Sequence, residues 1–197
     1  MRDSQKIMEL AKQNNGIITT AMVVEAGISR GTLKYLSDTD RLVKASRGVY
    51  TLPEALEDEF VNVQSRFKRG IFSLETALFL CDLTDRTPGR FHMVFPATYN
   101  LSGPKNEEII CSGSKEPLYS LGITDLKTPG GNTVRGYCAE RSLCDVLRSR
   151  NHTDVQIIVD AFRRYTSRTE KNIPQLSEYA RKLKVEERVR AYLEVLL

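Results

Sequence analysis

The first 53 residues carry a pattern of apolar positions that predicts three short helices followed by two strands. Apolar residues recur at helical spacing within residues 3–13, 20–26 and 30–37, and the first two of these stretches are followed by a glycine. Two β-prone runs, at residues 42–45 and 49–52, flank a turn that contains glycine, which is typical of a hairpin. This order of elements predicts a winged helix-turn-helix.

The pattern changes after Pro53. Residues 54–68 are charged and amphipathic, which indicates a helical connector, and the chain beyond Gly70 mixes β-prone runs with helical periodicity. We predict helices that begin near Ser73, Ala139, Asp154, Ile173 and Val185, and strands over residues 91–96, 108–111, 118–121, 125–128 and 133–137. Because strands and helices are segregated along the chain, the predicted fold class is α+β.

Most of the surplus of basic over acidic residues lies in the first of three predicted parts. These parts are a winged helix-turn-helix DNA-binding domain at residues 1–53, a helical connector at 54–70, and a mixed C-terminal domain with a small sheet and several helices at 71–197. The formal net charge is +4, and residues 1–53 hold eight Lys and Arg against five Asp and Glu. The other 144 residues hold 21 Lys and Arg and 20 Asp and Glu. The surplus of positive charge in residues 1–53 favours double-stranded DNA as the partner, although winged helices also serve as protein-interaction modules.

The third predicted helix has an apolar face and a polar face. Leu33 and Leu36 are three residues apart and face the core, which leaves Arg30 and Lys34 outside. Arginine near the start of a recognition helix can bind a guanine edge, and lysine is better suited to phosphate. Arg47 is at the tip of the hairpin, where it would contact the DNA backbone or the minor groove. The predicted DNA-binding residues are Ser29, Arg30, Thr32, Lys34 and Arg47.

No residue pattern in the chain predicts catalysis, a cofactor or a metal site. The two histidines, His92 and His152, fall in different predicted elements, and the four cysteines contain no CxxC pair, so we expect free thiols that pack as small apolar groups. Catalytic serine, zinc-protease and phosphate-loop motifs are missing from the sequence. The apolar runs are too short to span a membrane and the start is polar, so we expect a cytoplasmic protein.

Several segments closely resemble the N-terminal domain of AbiEi-type antitoxins. They are GIITTA at residues 16–21, AGISRGTL at 26–33 and LVKASRGVYTLP at 42–53. Residues 140–145, ERSLCD, resemble the E-R-(S/T)-L-x-D start of a helix in the C-terminal domain of that family.

The resemblance implies the antitoxin of a type IV toxin–antitoxin module, a two-gene system for abortive phage infection. It further implies a protein that represses its own promoter by binding DNA repeats, and a nucleotidyltransferase-like toxin that it counteracts without a stable complex. By the same resemblance, Arg141 and Asp145 are candidates for antitoxin function, although their i,i+4 spacing also suits an intrahelical salt bridge. No dimerisation segment is evident, and we expect a monomer in solution.

Two other functions fit parts of the sequence. A winged-helix transcriptional regulator with a ligand-sensing C-terminal domain would require a defined pocket in that domain. A protein-interaction adaptor would show no salt-sensitive affinity for DNA.

Overall fold

The computed structural model describes residues 2–196 and divides the chain into two compact units. The first unit contains Met1–Lys68 and Lys127–Val134, and the second contains Arg69–Leu126 and Arg135–Leu197. Both units mix helices with a small sheet, so the predicted α+β class is confirmed at this level.

The elements of residues 2–68 follow the order that the sequence predicts. They are α1 (Asp3–Gln13), β1 (Ile17–Thr19), α2 (Thr20–Glu25), α3 (Arg30–Asp38), β2 (Val43–Ser46), β3 (Val49–Thr51) and α4 (Glu59–Arg66). The three strands form one antiparallel sheet in the order β1-β3-β2, in which Ile17 and Val43 both pair with Thr51. Helices α1–α3 and strand β1 share one apolar core with the ends of the hairpin; its buried residues are Ile7, Ala11, Ile18, Val23, Ile28, Leu33, Leu36, Leu42 and Leu52.

A four-residue turn fixes α3 relative to α2. The Ile28 amide donates to the Val23 carbonyl at 2.9 Å, and the Gly27 amide donates to the Val24 carbonyl at 3.0 Å. These two bonds form a Schellman motif, in which the residue after the helix takes a left-handed conformation. Gly27 has a φ of +71°, a conformation that costs glycine little because it has no Cβ. Ile28 then packs in the core and anchors the start of α3.

The predicted helix over residues 54–68 is shorter than expected. The structure has α4 only over Glu59–Arg66, and Leu56, which the periodicity assigned to the apolar face, is 89 % exposed. The helix begins where Asp58 caps it, because the Asp58 carboxylate accepts from the amides of Phe60 at 3.0 Å and Val61 at 3.3 Å.

Asp58 also holds residues 127–134 within the first unit. Its second carboxylate oxygen, Oδ2, accepts a hydrogen bond from the Thr128 hydroxyl and another from the Asn132 amide nitrogen at 2.8 Å. Asp58 is 7 % exposed, so these donors satisfy a carboxylate that is almost out of contact with water. A single buried side chain therefore joins segments that are 70 residues apart in sequence.

The elements between Ile71 and Leu196 build a five-stranded sheet and a helical layer. The strands are β4 (Ile71–Phe72), β5 (His92–Pro96), β6 (Ile110–Ser114), β7 (Ile123–Lys127) and β8 (Thr133–Tyr137), in the order β6-β5-β4-β8-β7. The helices are α5 (Leu74–Leu80), α6 (Ser102–Asn106), α7 (Ala139–Val146), α8 (Val155–Ser167), α9 (Ile173–Leu183) and α10 (Glu186–Leu196), with a 3-10 turn at Ser149–Asn151. Residues of α5 and α7–α10 share the main core of the second unit.

Some strand predictions for the second unit were wrong. The strand predicted at residues 108–111 begins instead at Ile110, because Glu108 has a φ of +58° and the chain turns there. The strand then continues through Gly113, which pairs with Phe95, although the sequence predicts a turn at this glycine. The two-residue strand β4 and the short helix α6 were not predicted.

We predict that Asp58→Ala lowers the free energy of unfolding by about 2–3 kcal/mol, because it removes a helix cap and leaves two buried side-chain donors without their acceptor. Urea denaturation of the full chain measures the loss. Glu57→Ala is the matched control, since Glu57 is exposed and adjacent, and this variant should unfold like the parent. Equal stability of the two variants would contradict the structural role of Asp58.

Candidate nucleic-acid interface

Helix α3 presents one face to the core and the other to solvent. Leu33 and Leu36 are 1 % and 0 % exposed, and they fix the rotation of the helix about its axis. Arg30 and Lys34 are exposed and lie four residues apart, so they share one face, whereas Thr32, two residues from each of them, is half-buried on another side of the helix. The structure therefore brings these predicted residues to the surface of a single short helix.

Ser29 serves as the N-cap of α3. Its hydroxyl oxygen accepts a hydrogen bond from the Gly31 amide at 3.2 Å, which satisfies one of the free amides at the helix start. This bond uses only the oxygen, so the hydroxyl hydrogen can still be donated to a phosphate oxygen. The predicted DNA contact of Ser29 is thus compatible with its cap, and the helix start adds a partial positive charge beside Arg30.

Arg47 is exposed at the tip of the hairpin formed by β2 and β3. The hairpin turn is fixed to the start of α2, because the Gly48 carbonyl accepts from the Thr20 amide at 2.8 Å and from the Thr20 hydroxyl at 3.3 Å. Gly48 has a φ of +81°, and a Cβ at this position would lie 3.2 Å from the Thr20 hydroxyl oxygen. The tip is therefore held by α2, which the Gly27 turn also fixes to α3.

The cations on α3 and the hairpin have no carboxylate partners within residues 2–196. The exposed basic residues here are Arg30, Lys34, Arg41, Lys44 and Arg47. The ion pairs Arg141–Asp145, Arg148–Asp145, Arg164–Asp85, Lys182–Glu178 and Arg190–Glu187 all lie in the second unit. Even Asp38, four residues beyond Lys34, lies outside ion-pair distance of it. Unpaired cations on one small unit create a positive field that favours a polyanion.

The predicted set omits three exposed residues of the same surface. Tyr35 lies on α3 and is 58 % exposed, an unusual position for an aromatic side chain. Arg41 follows α3, and Lys44 lies on β2. The sequence could have indicated that Tyr35 faces outward, because it lies off the helix face that Leu33 and Leu36 define. The charge of Arg41 and Lys44 could have indicated that they are exposed.

Arg141 and Asp145 lie inside the second unit. Arg141 is 2 % exposed, and its Nε donates to the Asp145 carboxylate at 2.8 Å. Its Nη1 donates to the carbonyls of Leu118 and Leu121, both at 2.7 Å, and its guanidinium lies 4.2 Å from the centre of the Tyr137 ring. A side chain this buried cannot touch a partner directly, so any effect on antitoxin activity passes through the stability of this unit.

The same arginine explains why the strand predicted at residues 118–121 was wrong. The chain there is a turn that directs the carbonyls of Leu118 and Leu121 toward one guanidinium group. A strand would point successive carbonyls to opposite sides, and they could not both reach Nη1.

The cysteines of the second unit are not reactive thiolates. Burial raises the pKa of Cys81 to about 12 and that of Cys138 to about 11, so both thiols are protonated at neutral pH. Only Cys144 is fully buried, whereas Cys81, Cys111 and Cys138 are half-exposed, so the expectation of buried thiols is only partly met.

The described residues contain no group of three or more side chains placed to bind a metal ion.

None of the helices that the structure describes combines the length and apolar character needed to cross a bilayer.

Residues 5–53 match the family of transcriptional regulators described as the AbiEi antitoxin. The resemblance drawn from the sequence is therefore confirmed for this part of the chain. No curated protein matches the chain. Among solved structures, the chain is similar to the RV2827C protein from Mycobacterium tuberculosis, with 14 % identity and a TM-score of 0.47, over 97 % of this chain and 80 % of that one.

We predict that Arg141→Ala lowers the free energy of unfolding by about 3–5 kcal/mol, because it leaves Asp145 as a buried charge with a weaker partner and frees two carbonyls. The control is Lys182→Ala, which breaks the exposed i,i+4 pair with Glu178 in the same unit and should unfold like the parent. Urea denaturation of both variants makes the comparison. A similar stability for both variants would rule out the scaffold role of Arg141.

Proposed function

We propose that this protein is an antitoxin and transcriptional autorepressor whose first unit binds DNA as a winged helix-turn-helix. Helices α2 and α3 would form the helix-turn-helix, and the hairpin of β2 and β3 would form the wing. The observation that carries this proposal is the set of unpaired cations on α3 and the hairpin tip, on a unit whose residues 5–53 match a family of regulators.

In the proposed complex, α3 enters the major groove with its N-terminal end toward the bases. Arg30 would donate two hydrogen bonds to a guanine edge, the contact that gives the largest discrimination between bases. Lys34 and the Ser29 hydroxyl would bind phosphates and fix the register of the helix. Arg47 at the wing tip would contact the backbone or the minor groove beside this site. Thr32, which is half-buried, would contact DNA only along the exposed part of its side chain.

The rigid attachment of both elements supports this proposal. α3 is fixed by the Gly27 turn and by Leu33 and Leu36, and the wing is fixed through Thr20. Groups that are already in place lose little conformational entropy on binding, so more of the contact energy contributes to affinity.

The finer parts of the proposal rest on the family resemblance. We propose that the DNA sites are repeats in the protein's own promoter, bound by one monomer at each repeat. We also propose that the C-terminal part counteracts a nucleotidyltransferase-like toxin of a type IV module without a stable complex. The proposed role is one of binding, without catalysis.

We predict that the purified chain shifts its own upstream DNA in a gel, and that Arg30→Ala weakens this binding by about 5- to 100-fold with little change on scrambled DNA. Arg30 would contact a base, so its loss relaxes sequence preference. Lys12→Ala is the control, because Lys12 is exposed on α1 and away from α3 and the hairpin. An upstream duplex that is bound no better than scrambled DNA would exclude the autorepressor.

Arg47→Ala should behave differently from Arg30→Ala in the same assay. A backbone contact carries no sequence information, so its loss should weaken binding to all duplexes alike. It should also reduce the slope of log K against log salt concentration by about 1. Unchanged salt dependence in this variant would show that the hairpin tip does not contact the DNA.

Toxin rescue separates the two proposed activities. We expect Arg30→Ala to lose repression of a promoter reporter and to keep the ability to rescue cells that express the neighbouring toxin gene, because the second unit is unaltered. Loss of rescue in a variant that remains folded would contradict the assignment of antitoxin activity to the C-terminal part.

A further inference from the structure

A cleft in the second unit is lined by both basic and apolar residues. It comprises two cavities of about 360 Å³ and about 300 Å³. They share Leu147, Arg148, Ser149 and Arg188, so they adjoin. The walls come from the turn that follows α7, the start of α8, and the junction of α9 with α10. The larger cavity is within the size range of small-molecule sites in proteins.

Four cations line this cleft, and no carboxylate does. They are Arg148, Arg150, Lys184 and Arg188. Within the described chain, Asp145 is the only carboxylate in ion-pair range of any of them, at 3.6 Å from Arg148, and it is already bound by Arg141 at 2.8 Å. The pKa of Arg148 is lowered, first by burial and then by the nearby charge of Arg150, while the charge of Asp145 acts in the opposite direction.

The backbone at Lys184 gives a second, independent observation. The Val185 amide donates to the Ala180 carbonyl at 2.9 Å and the Lys184 amide donates to the Arg181 carbonyl at 3.2 Å, so α9 ends in a Schellman motif. Lys184 occupies the left-handed position of this motif, with a φ of +59°. The equivalent position after α2 is Gly27, the residue type that this conformation favours. Lys184 therefore lines the cleft from a backbone position that glycine occupies more often.

His152, in the turn after α7, is another left-handed residue that lines the cleft. It lies at the larger cavity and has a φ of +49°. The turn that carries it is held rigid, because the Asn151 side chain donates to the Asp145 carbonyl at 2.7 Å.

The apolar wall indicates what kind of anion the cleft would take. Val146, Leu147, Val155, Ile158 and Tyr192 line the larger cavity, and Val155 is 65 % exposed. A free phosphate would leave this wall unused. A ligand with an aromatic ring and several negative charges would contact both kinds of residue. Its ring would pack against the apolar residues and its charged end would bind the arginines.

We propose that this cleft binds a nucleoside di- or triphosphate, with the phosphates held by Arg148, Arg150, Lys184 and Arg188 and the base held against the apolar wall. The site is separate from the proposed DNA interface, which lies in the first unit. It would make the second unit responsive to a small ligand, and its test does not depend on whether the first unit binds DNA.

Isothermal titration of the purified full chain with ATP, tripolyphosphate and adenosine tests the proposal. We expect saturable binding of one ATP per chain, about tenfold weaker binding of tripolyphosphate because it lacks the base, and no measurable binding of adenosine. Absence of ATP binding at millimolar concentration would overturn the proposal. Equal affinity for ATP and tripolyphosphate would overturn the part assigned to the apolar wall.

Variants of the cleft distinguish a built site from general attraction between charges. Arg150→Gln and Lys184→Gly should each weaken ATP binding about tenfold, whereas Arg181→Gln should leave it within about twofold, because Arg181 is an exposed cation on α9 outside the cleft. Equal losses in all three variants would overturn the proposal. So would displacement of ATP by a random-sequence DNA duplex, which would identify the cleft as a nucleic-acid surface.

The Lys184→Gly variant distinguishes loss of the cation from loss of the folded structure. Glycine fits the left-handed position better than lysine, so this variant should melt at the same temperature as the parent or higher. Weaker ATP binding in a variant of undiminished stability would assign the effect to the lost cation. Unchanged ATP binding in this variant would remove Lys184 from the site.

Discussion

The orientation of α3 depends on the left-handed turn at Gly27. Two backbone hydrogen bonds close this turn, and they deliver Ile28 into the core, so the helix starts at a fixed point. The buried pair Leu33 and Leu36 then sets which side faces solvent. A Cβ at Gly27 would meet no neighbouring atom within 4 Å, so the constraint is one of backbone conformation and not of space. Every outward residue on α3 takes its position from these few contacts.

Burial and partners distinguish the arginines that build the scaffold from those that are free to bind. Arg141 is enclosed, with a carboxylate, two carbonyls and an aromatic ring around its guanidinium. Arg30 and Arg47 are exposed, and neither forms an ion pair within the described chain. The same residue type thus occurs in two different environments, and the sequence alone could not distinguish them, because the segment ERSLCD and helix α3 are both short and polar.

The sequence predicted best those features that depend on neighbouring residues. The glycine turn after α2 and the hairpin with Arg47 at its tip depend on neighbouring residues, and the structure has both of them. The missed features depend on distant residues. The contact of Asp58 with Thr128 spans 70 positions, and the turn at residues 118–121 is shaped by Arg141. No local pattern encodes either contact, so the joining of the two segments and the false strand could not be foreseen.

The measurement that tests the DNA interface most directly is a titration of the ¹⁵N-labelled chain with its upstream duplex, followed by NMR. The account predicts that shift changes concentrate at residues 29–35 and at Arg47 and Gly48, with smaller changes in the buried core of the first unit. Changes confined to residues outside the first unit, or none at all at saturating duplex, would contradict it.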